Sequence, residues 1–171
     1  MGKMILVLGG CRSGKSSFAL SLAKGYKEKV YLATCDPQDE EMRERVQRHR
    51  NERGDGWKTL EEPLDVPAVV EACRAEALLL DCVTIWIGNL MMKEKDPFSM
   101  ADALISSLKR FPGAAILVSN EVGSGIVPEN ALARRFRDAA GEVNQKLAAA
   151  AHEVALVTAG IPQYLKKMTD E

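Results

Sequence analysis

The run Gly9-Gly10-Cys11-Arg12-Ser13-Gly14-Lys15-Ser16 follows the spacing G-x-x-x-x-G-K-[ST], in which each fixed position has a chemical task. Glycines at 9 and 14 let successive N–H groups turn toward one anion, and a helix opening at Lys15 aims its positive end at the same place. Lys15 is placed to reach the β and γ phosphates of a nucleoside triphosphate, and Ser16 to ligate magnesium. A chance glycine-rich turn is the bland alternative. It is disfavoured because the motif follows the apolar run Met4 to Leu8 and opens a helix, the context that a phosphate-binding loop needs.

Asp81 ends a second apolar run, Ala77-Leu78-Leu79-Leu80-Asp81, where a carboxylate can hold that magnesium directly or through water. An aspartate there can also simply cap the next turn. His49 is followed by Arg50 and Arg53, and it shares a helical face with Met42 and Val46. The residues alone leave two readings of it. One is a partly buried histidine satisfied by a backbone carbonyl. The other is a nucleophile: a neutral imidazole can attack phosphorus while flanking guanidiniums hold the phosphates and stabilise the developing charge. His152, among alanines before a strand, looks incidental to chemistry.

The elements that must position these groups alternate. Strands are predicted at Met4 to Leu8, Val30 to Thr34, Ala77 to Asp81, Ala115 to Ser119 and Val154 to Thr158, with a short extended piece at Trp57 to Glu61. Helices are predicted from Lys15 to about Lys24, Asp39 to Arg53, Asp65 to Cys73, Thr84 to Met92, Ser99 to Arg110 and Glu129 to Ala151. The last has Leu132, Phe136, Val143 and Leu147 on one face. Such alternation implies an α/β fold with a mostly parallel sheet flanked by helices, and ligands at the carboxyl ends of the strands. That places Asn120 and Glu121, with the glycines at 123 and 125, near the active edge. Trp86 is equally suited to core packing and to substrate contact. The tail from Lys166 to Glu171 is expected to fray.

A length of 171 residues suits one domain over 1–171. Lys plus Arg number 23 against 24 Asp plus Glu, so no basic field exists to hold nucleic acid, and a small-molecule partner is expected. No apolar run is long enough for a transmembrane segment and no leader pattern is present, so a cytoplasmic location is expected. Cys11, Cys35, Cys73 and Cys82 lack metal or redox spacing and are read as reduced thiols, with Cys11 and Cys35 lining the nucleotide site and open to alkylation.

Taken together, several groups of residues resemble the bifunctional adenosylcobinamide kinase / adenosylcobinamide-phosphate guanylyltransferase family of cobalamin biosynthesis. They are the loop at 9–16, Tyr31-Leu32-Ala33-Thr34, His49-Arg50 with Arg53 and Trp57, and Leu80-Asp81-Cys82 with Thr84, Trp86 and Asn89. Asn120-Glu121-Val122-Gly123 with Gly125 to Pro128, and Arg137-Asp138 with Gly141, Asn144 and Gln145, complete the set. The resemblance runs from about Ile5 to Lys166. It implies a RecA-like P-loop NTPase core and a propeller-like homotrimer. It also implies phosphorylation of adenosylcobinamide by ATP or GTP, then transfer of GMP from GTP to adenosylcobinamide phosphate through a guanylyl-histidine at His49. By the same matching, nucleotide contacts fall on Gly9 to Ser16, on Ala33, Thr34 and Cys35, on Arg50, Asn51, Glu52 and Arg53, on Glu61 and on Asp81, whose carboxylate either joins Ser16 on the Mg2+ of the loop reading or meets a ribose hydroxyl. A simple P-loop small-molecule kinase with a structural His49, and a RecA-like nucleotide-dependent switch, are the competing readings.

Overall fold

A computed structural model describes residues 2–35, Glu40, Glu44 and 56–167. The predicted helix at 39–53, and with it His49, Arg50, Asn51, Glu52 and Arg53, lies outside those residues but for the two glutamates.

In chain order the described elements are β1 (Met4–Gly9), α1 (Lys15–Leu22), β2 (Lys29–Ala33), β3 (Trp57–Glu61), α2 (Val66–Ala72) and β4 (Ala77–Asp81). They continue with α3 (Val83–Met92), α4 (Pro97–Arg110), β5 (Ala114–Asn120), α5 (Ala131–Ala150), β6 (Glu153–Thr158) and β7 (Ile161–Lys166). The strands form one sheet in the order β3-β2-β4-β5-β1-β6-β7. All pairings are parallel except β6 with β7.

The central strands are continuous apolar runs because helices cover both faces. On one face Leu6, Leu32, Leu80 and Leu117 pack with Val66 and Val70 of α2, Trp86, Ile87 and Leu90 of α3, Leu104 of α4 and Val143 and Leu147 of α5. On the other, Val7, Tyr31, Leu79, Ile116 and Val118 meet Ala19 of α1 and the following Ala23. Each fully buried aliphatic side chain contributes on the order of 1.5–3 kcal/mol, so the sheet's carboxyl edge rests on a stiff base. Trp86 belongs to this core: it is fully buried, and its indole N–H donates to the Leu64 carbonyl at 2.8 Å.

Two expectations differ at their margins. Leu132 is exposed, because the apolar contacts of α5 begin with half-buried Phe136 and are made by Ala139, Ala140, Val143 and Leu147. Lys166 closes β7 instead of starting a frayed tail, and its ammonium donates to the carbonyls of Ala148 and Ala149. His152 is structural: its Nδ1 accepts from the Met4 N–H at 2.9 Å and its own N–H donates to the Met4 carbonyl, fixing the start of β1.

Candidate active site

The loop after β1 is held from three sides. Gly14, at φ 91°, caps α1 in the left-handed region that favours glycine. A Cβ at Gly9 would lie 2.3 Å from Ser13 Oγ and 2.7 Å from the Val157 carbonyl, so the strand end and the loop can approach only without a side chain there. The turn between β6 and β7 braces the loop, with the Gly160 N–H donating to the Ser13 carbonyl at 2.8 Å. Lys15 and Ser16 form the first turn of α1. The Lys15 ammonium donates to the Gly10 carbonyl at 3.1 Å across the loop's mouth. Ser13 Oγ is buried and has no hydrogen-bond partner among the described residues, an unusual cost for a buried hydroxyl.

The register of the sheet gathers further residues. Ala33 pairs with Glu61 on one side and with Asp81 on the other, so these three end their strands on one rung. Residues in register share a face, and Asp81 stands two places beyond Leu79, which packs on the α1 side. The Asp81 carboxylate therefore faces the helix that carries Lys15 and Ser16. Asp81 and the end of β1 are separated by β5, a span of roughly 10 Å at ordinary strand spacing, which a metal-bound phosphate can bridge. Tyr31 donates its phenolic O–H to Asp81 Oδ2 at 2.8 Å, and Trp57 packs edge-on against the Tyr31 ring at 6.0 Å.

Behind the carboxylate the chain is tied down. The Thr34 hydroxyl donates to the Cys82 carbonyl at 2.8 Å and accepts from the Cys82 N–H at 3.0 Å, while Thr34 is fully buried. Its side chain is thus committed to the junction between β4 and α3 and is not available for the nucleotide contact that the family resemblance implies at residue 34. The Asn89 amide donates to the carbonyls of Thr34 at 2.8 Å and Pro63 at 3.1 Å, joining the exits of β2 and β3. The Cys82 thiol is pushed up to about 12, chiefly by burial and then by the Asp81 charge, with the Lys15 charge opposing. It is an inert thiol, and the two charges that act on it bracket the site. Cys11 is exposed and Cys35 half-buried.

The structure therefore brings together Gly9 to Ser16, Ala33 to Cys35, Glu61 and Asp81. His49 and residues 50 to 53 lie beyond what it describes. It adds Tyr31 and Asn89, which sequence reasoning did not single out as site residues. Tyr31 could have been found from alternation, since it lies two places before Ala33 on the same face of β2. No helix among the described residues is long and apolar enough to cross a membrane.

The family model CobU, cobinamide kinase / cobinamide phosphate guanyltransferase, matches residues 5–165 of this chain. The chain belongs to this family of transferases. The bifunctional adenosylcobalamin biosynthesis protein CobU of Salmonella typhimurium is 43% identical over 180 residues, covering 95% of this chain and 99% of that protein. The bifunctional adenosylcobalamin biosynthesis protein CobP of Pseudomonas aeruginosa is 43% identical over 167 residues, covering 94% of this chain and 96% of that protein. A solved ATPase from the type III secretion system of pathogenic bacteria superposes with a TM-score of 0.62 at 13% identity. It covers 92% of this chain and 51% of that one, and shows the P-loop NTPase fold alone.

Proposed function

We propose that the whole chain acts as one P-loop domain that carries out both reactions named by its family on a cobinamide acceptor. In the first, the acceptor's hydroxyl oxygen bonds to the γ phosphorus of ATP or GTP, the bond from γ phosphorus to the β–γ bridging oxygen breaks, and the hydroxyl proton is released. In the second, a nitrogen of His49 bonds to the α phosphorus of GTP as the α–β bridging bond breaks and pyrophosphate leaves. A phosphate oxygen of the acceptor then bonds to that phosphorus, the N–P bond breaks, and adenosylcobinamide-GDP forms. Splitting the second transfer in two is the use of a covalent nucleophile, whereas the first needs only position and charge.

The observation that carries this reading is the placing of Asp81 on the face of α1, across β5 from the loop, with Ala33 and Glu61 on its rung. The residues present fit magnesium, since the half-buried Ser16 stands in the first turn of α1, toward which Asp81 faces. Those two would hold the ion, which when bound neutralises charge on the β and γ oxygens. The orphaned Ser13 hydroxyl is a donor suited to a phosphate oxygen. Lys15 leaves the Gly10 carbonyl for the β and γ oxygens. Ala33, Cys35, Glu61 and Arg50 to Arg53 line the nucleoside side, with Thr34 bracing them from behind. In the cytoplasm, a homotrimer of the kind the resemblance implies would let a neighbouring subunit exclude water from the bound nucleotide.

Transfer of label from γ-labelled nucleotide to adenosylcobinamide tests the first half. It is expected in the wild-type chain and lost in Lys15→Ala, whose exposed bond to Gly10 contributes little to stability. Undiminished transfer by that variant would remove the loop lysine from the mechanism.

A further inference from the structure

Asn120 closes β5 directly opposite Gly9, the last residue of β1, on the sheet face that carries Val118, Asp81 and α1. Its main chain is fixed from two helices: its N–H donates to Thr84 Oγ1 at 2.6 Å, and its carbonyl accepts from Asn144 Nδ2 at 3.2 Å. Those anchors are themselves locked, because Ser119 Oγ stands 3.2 Å from Thr84 Oγ1 and donates to Asn144 Oδ1 at 2.7 Å. Thr84 and Ser119 are buried, and a satisfied buried network of this kind holds one geometry.

The side chain is left out of the network. Among the described residues the Asn120 amide has one partner, Cys82 Sγ at 4.0 Å, at the far limit of a sulfur contact. That contact points the amide toward β4, into the space between the loop and Asp81. Its donor hydrogens and its carbonyl oxygen are otherwise free to meet a ligand. A backbone held on both sides beneath an uncommitted amide is the arrangement of a preorganised donor.

We propose that Asn120 is a catalytic residue of the kinase half-reaction, donating from Nδ2 to an oxygen of the γ-phosphoryl group in transit. The inference rests on the kinase reading above. The γ group is singled out because the loop and Asp81 flank the end of β5. A nucleotide whose β and γ oxygens join them lays its γ phosphorus over Asn120. The α phosphorus lies toward the nucleoside side, beyond Asp81, where Ala33 and Glu61 end β2 and β3. During transfer the bond from acceptor oxygen to γ phosphorus forms and the bond to the β–γ bridging oxygen breaks; Asn120 forms no bond and keeps its protons.

The test is Asn120→Ala, which removes the amide and leaves both main-chain anchors in place, together with the isosteric Asn120→Asp, which replaces donor by anion. For γ transfer to adenosylcobinamide at saturating nucleotide, kcat is expected to fall about 100-fold in Ala and at least as far in Asp, as when one preorganised donor is lost. The nucleotide KM and the yield of enzyme-bound GMP from α-labelled GTP are expected to stay within a few-fold of wild type. Unchanged γ transfer in either variant, or equal loss of both half-reactions, overturns the inference. A wild-type chain without γ transfer overturns the kinase reading and the inference with it, whereas wild-type transfer that survives in Asn120→Ala overturns the inference alone.

Discussion

Replacing Thr34 by valine removes one hydroxyl and keeps the side chain's shape, which separates a structural clamp from a nucleotide contact. In the wild-type chain that hydroxyl satisfies both main-chain groups of Cys82. The Cys82 carbonyl keeps a second bond, from the Trp86 N–H at 3.2 Å in the first turn of α3, so the variant orphans only the Cys82 N–H. A buried N–H without a partner costs about 1–3 kcal/mol, and the lost O–H···O bond about 0.5–1.5. A destabilisation of roughly 2–4 kcal/mol follows. For a chain of 171 residues each kcal/mol moves the unfolding midpoint by roughly 2–4 °C, so a fall of about 5–15 °C is expected by calorimetry. GTP affinity, titrated well below the new midpoint, is expected to change little. A midpoint that stays put while GTP affinity collapses would refute the reasoning and make Thr34 Oγ1 a nucleotide ligand.

Two further outcomes follow from the same geometry. Alkylation at about pH 8 followed by mass spectrometry should modify exposed Cys11 first and spare Cys82 until the chain unfolds, because burial and the neighbouring Asp81 keep the Cys82 thiol protonated. GTP should slow the reaction at Cys11, and early modification of Cys82 would contradict its burial. Burial alone would raise the Glu121 carboxyl, but the Ser124 hydroxyl and the Gly123 and Ser124 N–H groups outweigh it and hold it below the ordinary glutamate value. A depressed folded value stabilises the loop above the unfolded one and loses that support as the pH falls through the folded one. The Gly123 and Ser124 amide resonances should therefore titrate with a midpoint below that of an ordinary exposed glutamate, such as one in an unstructured peptide of this chain, and a midpoint at or above it would contradict the loop's hydrogen bonds.

Much of this was legible in the sequence for physical reasons that can be named. β4 is bounded where predicted, because Ala-Leu-Leu-Leu-Asp is apolar until its carboxylate reaches the sheet edge. The loop and the start of α1 were readable because Gly14 and Lys15 have few alternative uses in that order. β7 was not: Ile-Pro-Gln-Tyr-Leu-Lys is a mostly exposed edge strand, where proline is tolerated and no apolar run is required. Its trace lay in Ala159-Gly160, whose φ values of 51° and 80° form the two-residue turn that favours a hairpin. Trp86 could not be assigned by composition, since an indole suits a core and a binding face alike. The double role of the Thr34 hydroxyl depends on a contact 48 residues away, which no local pattern encodes.

The central claim is that one loop serves two attacks, at the γ and the α phosphorus, the second by His49. The direct measurement is denaturing gel analysis after incubation with GTP labelled on the α phosphate. The account expects label retained on the protein, released by acid as an N–P bond should be, and absent in His49→Ala. A wild-type chain that keeps no label, or a His49→Ala variant that keeps it, would contradict the account.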